Sequence, residues 1–154
     1  MAFPTIKSSS LAGQPFHLPG DLGGRPTVLL VGFHPSQQLA INNSIPYVKS
    51  LGGCETLCYY ALPVVGHTSP LMRIIGGARL RAAIPNPSAR ERTIPLYIQP
   101  DTFCRALDRA SDRGVMVLLV DRDGTVVWQS HGEVTPDKVQ ALAVAIADAE
   151  RGQA

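Results

Sequence analysis

The first 53 residues of this 154-residue chain contain no cysteine; the only three are Cys54, Cys58 and Cys104. An odd count, with no basic-then-apolar leader at the start, argues against a disulfide-stapled fold and predicts a reducing compartment. That compartment is the cytoplasm, or the mitochondrial matrix or a plastid where a presequence precedes these residues. Charge is also scarce: 17% of residues are charged and the formal net charge is +2. So small a balance gives no reason to expect nucleic acid as a partner, or a membrane as an obligatory one. No apolar run approaches the ~20 residues that span a bilayer, so no transmembrane segment is expected. Phosphate-binding loops, dinucleotide fingerprints and Ser-x-x-Lys are all missing, and Gly23-Gly24 and Gly52-Gly53 read as turns. His17, His67 and His131 have no ligand-like spacing, so neither a metal nor another cofactor is expected.

What is present is an ordinary globular composition, 45% hydrophobic, long enough for one substantial core. The expectation is a single domain over 1–154 in which 1–24, rich in Gly, Pro and Ser, forms an N-terminal extension. Residues 14–18 suggest a small hairpin within it. Residues 27–33 are β-branched and apolar without alternation, as a central strand covered on both faces should be. A helix follows over 35–51, with Pro46 predicted to bend it. Residues 55–62 read as the next strand, parallel to the first across a helical crossover.

Ser69-Pro70 is a helix start, a capping hydroxyl followed by proline at the first helical position. Leu71, Ile74, Ile75, Ala78 and Ala82 then fall on one helical face, predicted as its apolar stripe. Gly76-Gly77 is a weak point where that helix would break or pack tightly. Residues 84–92 read as a loop, 93–98 as a short strand, and Asp101 as the cap of a helix presenting Phe103, Cys104 and Leu107. The C-terminal part reads as strand 115–120, a tight turn at Asp123-Gly124, an antiparallel return over 125–129, and a helix opened by Thr135-Pro136. Val139, Leu142, Ala143 and Ile146 form its stripe.

This order, β-α-β-α-(β)-α-β-β-α, resembles the thioredoxin-like superfamily. The residues that carry the likeness are Phe33 at the strand-to-helix junction, Pro46, the hairpin Asp121-Arg122-Asp123-Gly124 and the last helix. The resemblance implies an α/β thioredoxin-like fold, a central mixed sheet flanked by helices, with a peroxiredoxin-like N-terminal extension. Thioredoxins place Cys-x-x-Cys at this junction, and this chain has Gln38 and Ile41 there. Peroxiredoxins place their cysteine slightly later, where this chain has Ile41-Asn42-Asn43-Ser44. A thiolate nucleophile needs a thiol at the helix end that lowers its pKa, and a shift of register cannot supply one.

A narrower similarity is to the mitochondrial ATP synthase assembly-factor family, the ATPase-complex-subunit-ten type. It rests on Phe3-Pro4, Leu11-Ala12-Gly13, Leu18-Pro19, Gly24 and Leu119-Val120-Asp121-x-x-Gly124-x-Val126-x-Trp128. Members of that family lack the reactive cysteines and are thought to chaperone a membrane subunit. The resemblance implies a protein partner, with a membrane-complex subunit as its specific form.

Two surfaces stand out as candidate binding sites. His34, Gln37 and Gln38 lie beside the degenerate active-site position and could form a polar binding edge at a helix start; the plain alternative is a solvated helix end. Arg73, Arg79, Arg81, Arg90 and Arg92 form a local basic patch that could meet an acidic partner or anionic headgroups; the plain alternative is a solvated helix surface. No residue is assigned a catalytic role. The favoured reading is a non-catalytic binding or assembly factor. The runner-up is a thiol oxidoreductase or peroxiredoxin-type enzyme using a displaced cysteine, Cys54 or Cys58, and a third is a small-molecule carrier gripping its ligand with His34 and Gln38. Small buried side chains are the default reading of all three cysteines, and a packing role is that of Trp128.

Overall fold

The computed structural model describes residues 2–18, 20–22, 26–51, 58–66, 69–107, 114–121, 123–132 and 134–151. Its centre is a strand, β3 (Thr27–Gly32), with every residue buried. β1 (Ile6–Ser9) and β2 (Pro15–Leu18) precede it as an antiparallel hairpin. β3 pairs in parallel with β4 (Cys58–Pro63) and antiparallel with β5 (Met116–Val120). β5 continues into an antiparallel hairpin with β6 (Val126–His131), which completes the order β4-β3-β5-β6. The turn between them is shaped by Asp121, whose carboxylate accepts the amides of Asp123 and Thr125, and by Gly124 at φ 83°. The strand expected over 55–62 lies partly outside the described residues.

The alternating pleat of β3 and β5 feeds two cores. On one face, Val28, Leu30, Val117 and Leu119 meet α1 (Gln38–Lys49) through Ile41 and Val48. The same face meets α5 (Pro136–Arg151) through Leu142 and Ile146. On the other face, Leu29, Val31, Met116 and Leu118 meet α4 (Pro100–Ala106), the Leu107 that follows it, and the N-terminal residues Phe3, Ile6, Phe16 and Leu18. Phe103 of α4 stands edge-on to Phe3 at 5.9 Å and to Phe33 at 6.0 Å between ring centroids. Cys104 is buried there and is in no disulfide.

The N-terminal residues cross the sheet from edge to edge. The Phe3 amide donates to the Gly124 carbonyl at 2.9 Å, beside the β5–β6 turn. The Leu11 amide donates to Thr93 at 2.9 Å, beyond β4.

Several local expectations need correction. Residues 93–98 form no continuous strand; they add to β4 through two parallel bridges, Ala61 with Thr93 and Val64 with Leu96. Pro95 lies between these bridges and has no amide to donate. The 84–92 segment is not all loop, because Asn86 accepts the amides of Ser88 and Ala89 and starts a short helix, α3 (Pro87–Glu91). Gln99, not Asp101, occupies the cap position of α4, and Asp101 lies in its first turn.

The largest departure is α2 (Pro70–Ala83). It runs unbroken through Gly76-Gly77, and Ser69 caps it by accepting the Met72 amide at 3.2 Å. Of its fourteen residues only Gly77 is buried. The apolar stripe predicted to face the core faces outward instead. The reason is topological: both faces of the sheet are already covered, one by α1 and α5, the other by α4 and the N-terminal residues.

Candidate functional site: an apolar groove at a thiol-free junction

Where β3 ends, Gly32-Phe33-His34 leads through a single 3-10 turn, Pro35–Gln37, into α1. The Gln37 side chain turns back, and its Oε1 accepts the Phe33 amide at 2.7 Å. Gln37 therefore closes the turn from within through its Oε1. Gln38 is half-buried, and its Nε2 donates to Asn42 Oδ1 at 3.0 Å, one helical turn on. His34 is exposed.

Ile41 is buried and points back at the strand. A Cβ placed on Gly32 would lie 2.8 Å from Ile41 Cδ1. The position that resembles the second cysteine of a redox pair is thus filled by a branched hydrocarbon packed onto bare backbone. Ser44, in the stretch that resembles the peroxiredoxin position, is fully buried. Its hydroxyl donates to Ala40 at 2.9 Å and accepts the Val134 amide at 3.2 Å, joining α1 to the segment before α5.

Beside this junction lies a groove of about 470 Å³. Gly32, Phe33 and Ile41 form its floor side, Pro63, Val64 and Val65 continue it from β4, and Leu80, Ala83, Ile84 and Pro100 close it. Among the described residues that line it, only His34 and Gln38 add polar side chains. A concavity of this size and character takes an apolar side chain or a short apolar segment, oriented by a few polar groups. The sequence pointed to His34 and Gln38 but not to the far wall. That wall comes from a strand end, two turns of α2 and the start of α4, and no local pattern joins those segments.

The five arginines do not form one patch. Arg73 lies 4.5 Å over the Tyr97 ring, and Arg73 and Arg81 line one cleft. Arg79 is exposed on α2. Arg90 donates to the Arg81 and Ile84 carbonyls, both at 2.7 Å, and so closes the C-terminal end of α2. Arg92 stacks 4.6 Å over Tyr59 and donates to its carbonyl.

Cys58 opens β4 opposite Thr27, whereas the groove lies at the other end, where Pro63 is opposite Gly32. Five residue steps along the strand separate Cys58 from Pro63 at the groove, roughly 17 Å. Cys54 lies outside the described residues, as does His67. Trp128 is half-buried against the core that α1 and α5 share. Among the described residues no three His, Cys, Asp or Glu side chains gather as a metal site would require.

A central mixed sheet with helices on both faces and a strand-to-helix junction at the end of a central strand makes this a protein of thioredoxin-like fold. Solved structures agree over nearly the full length. The chain is similar to the pneumococcal exposed lipoprotein thioredoxin from Streptococcus pneumoniae (TM-score 0.62, 11% identity, covering 92% of this chain and 98% of that one). It is similar to a DsbF homologue from Corynebacterium diphtheriae (TM-score 0.62, 13% identity, 96% and 85%). It is also similar to BsSco, a member of the Sco family of cytochrome c oxidase assembly proteins (TM-score 0.60, 15% identity, 97% and 94%). No family profile and no curated protein matches the sequence.

Proposed function

We propose that this protein is a non-catalytic thioredoxin-like binding factor that holds an apolar segment of a partner protein in the groove beside Phe33. The observation that carries the reading is the junction itself. Ile41 packs on Gly32, Gln37 satisfies the Phe33 amide, and an apolar groove opens beside them in place of a thiol. Redox relatives need a nucleophile at that helix end. Here that end offers shape and a largely apolar surface, with the His34 and Gln38 side chains beside it.

Assembly of ATP synthase is the specific role we propose, on the strength of the residues shared with the assembly-factor family. Its partner would then be a membrane subunit, and its compartment a reducing one, the mitochondrial matrix among them. BsSco illustrates that assembly proteins use this fold. Among the described residues no helix is long and apolar enough to cross a membrane.

The rival reading, a thiol enzyme using Cys54 or Cys58, makes an opposite prediction. Insulin-reduction and peroxide-consumption assays should show no turnover. Turnover that a Cys54→Ser or Cys58→Ser change abolishes would overturn the proposal. A groove variant, Val65→Gln with Ala83→Gln, should weaken partner binding about tenfold while leaving the melting temperature nearly unchanged, because both positions are exposed. A partner retained at full affinity would place its binding elsewhere.

A further inference from the structure

We propose that α2 is a docking helix for the surface of a bilayer containing anionic phospholipid. This inference does not rest on the groove or on the assembly role.

The first observation is exposure of the wrong residues. Leu71 is 65% exposed, Met72 52%, Ile74 67% and Ile75 36%. Four large apolar side chains on two turns face solvent together. Singly they would be unremarkable; as a contiguous ridge they mark an interaction surface.

The second observation is charge. Residues 56–90 contain four arginines and no aspartate or glutamate. Eight of the fourteen basic residues but only three of the twelve acidic ones lie in residues 1–100. The near-neutral total therefore hides a basic half, and α2 belongs to it. Arg79 flanks the apolar ridge on one side. On the other, Arg73 and Arg81 line a cleft of about 500 Å³ with Tyr97 and the turn after β1, and Ile74 of the ridge lies at that cleft as well. The Arg81 guanidinium folds back over Gly77, about 3.5 Å from where a Cβ would stand.

Charge complementarity selects the occupant. A second copy of this chain, packed α2 against α2, would set arginines against arginines. A bilayer interface takes both parts of the surface at once. Leucine, methionine and isoleucine enter the headgroup–acyl boundary, which needs no matching concavity, while arginines and Tyr97 stay at headgroup level beside phosphate. At ~21 Å the helix is long enough to lie in that plane and far too short to span it.

Vesicle flotation tests this with the whole chain and no other protein. Phosphatidylcholine vesicles containing phosphatidylglycerol should capture it at least about 25-fold better than phosphatidylcholine alone, and added salt should release it. Arg79→Gln with Arg81→Gln should cost roughly 25-fold, at about fivefold per arginine. Leu71→Ser with Ile74→Ser should cost about tenfold or more. Arg105→Gln, exposed on α4, should change binding less than about twofold. Val65→Gln alone, a groove change outside α2, should float normally, which separates this proposal from the one above. Equal capture by both vesicle types, no capture, or equal losses at Arg105 would each overturn it. So would insensitivity to the apolar changes, or release by inorganic phosphate beyond that by chloride of equal ionic strength. Capture only by an acidic protein would also overturn it.

Discussion

Helices α2 and α5 are written in the same local grammar and end in opposite situations. Each begins with a hydroxyl followed by proline, Ser69-Pro70 and Thr135-Pro136. In each the hydroxyl oxygen accepts an amide three residues on, Met72 at 3.2 Å and Lys138 at 3.4 Å. Each carries apolar residues at three- and four-residue spacing. Yet Leu142 and Ile146 are buried, while Leu71 and Ile74 are among the most exposed large apolar side chains described. Periodicity shows that a helix has an apolar face; it does not say that the fold has anywhere to put it. α5 finds the face of the sheet made by Val28, Leu30, Val117 and Leu119. α2 finds the opposite face already occupied by Phe3, Phe16, Leu18 and Phe103.

Stability measurements can break that comparison. Leu142→Ala should cost about 2–5 kcal/mol in a denaturant melt, because it empties a site between sheet and helix. Ile74→Ala, the same kind of truncation on α2, should stay within about 0.5 kcal/mol. If Ile74→Ala costs as much as Leu142→Ala, α2 is covered within the folded chain and the contrast fails.

Gly32→Ala tests the junction that both regions flank. Its new methyl would meet Ile41, so about 1–3 kcal/mol of stability should be lost. Adding Ile41→Val should return part of it. Full stability of the single variant would show that Ile41 can move aside.

Arg90→Ala should destabilise by about 1–2 kcal/mol, because two α2 carbonyls lose a charged donor. An arginine that served only a partner would leave the melting temperature unchanged. The smallest effect sharpens the comparison. Ser69→Ala and Thr135→Ala should each cost about 1 kcal/mol, despite the different burial of the helices they start, since a cap acts locally. Unequal costs would show that tertiary packing already enters at the first turn.

The sequence made legible whatever depends on neighbours along the chain. β3 and β5 announced themselves as unbroken apolar runs, the β5–β6 turn as Asp-x-Asp-Gly, and α2 and α5 by their caps. The junction was legible as a position without thiols. The outward stripe of α2 was not, because its direction depends on what the N-terminal residues cover from a distant part of the chain. Nor was the dispersal of the arginines. Arg90 and Arg92 read as charges, but Arg90 turns back on the carbonyls at the end of α2 once α3 forms, and the Tyr59 partner of Arg92 becomes its neighbour only once β4 and the 93–96 segment are aligned. The far wall of the groove was hidden for the same reason.

The N-terminal crossing of the sheet also bears on how the molecule is made. Its anchors are the amides of Phe3 and Leu11, and their acceptors, Gly124 and Thr93, come far later in the chain. During synthesis Phe3 and Leu11 must wait for Gly124 and Thr93 to arrive. Contacts of such long sequence separation form slowly. Until they form, the sheet face made by Leu29, Val31, Met116 and Leu118 is covered only in part, by α4, which leaves the nascent chain most prone to aggregate in that interval. Deleting residues 2–11 should therefore reduce soluble yield on synthesis more than its effect on the finished fold alone would suggest.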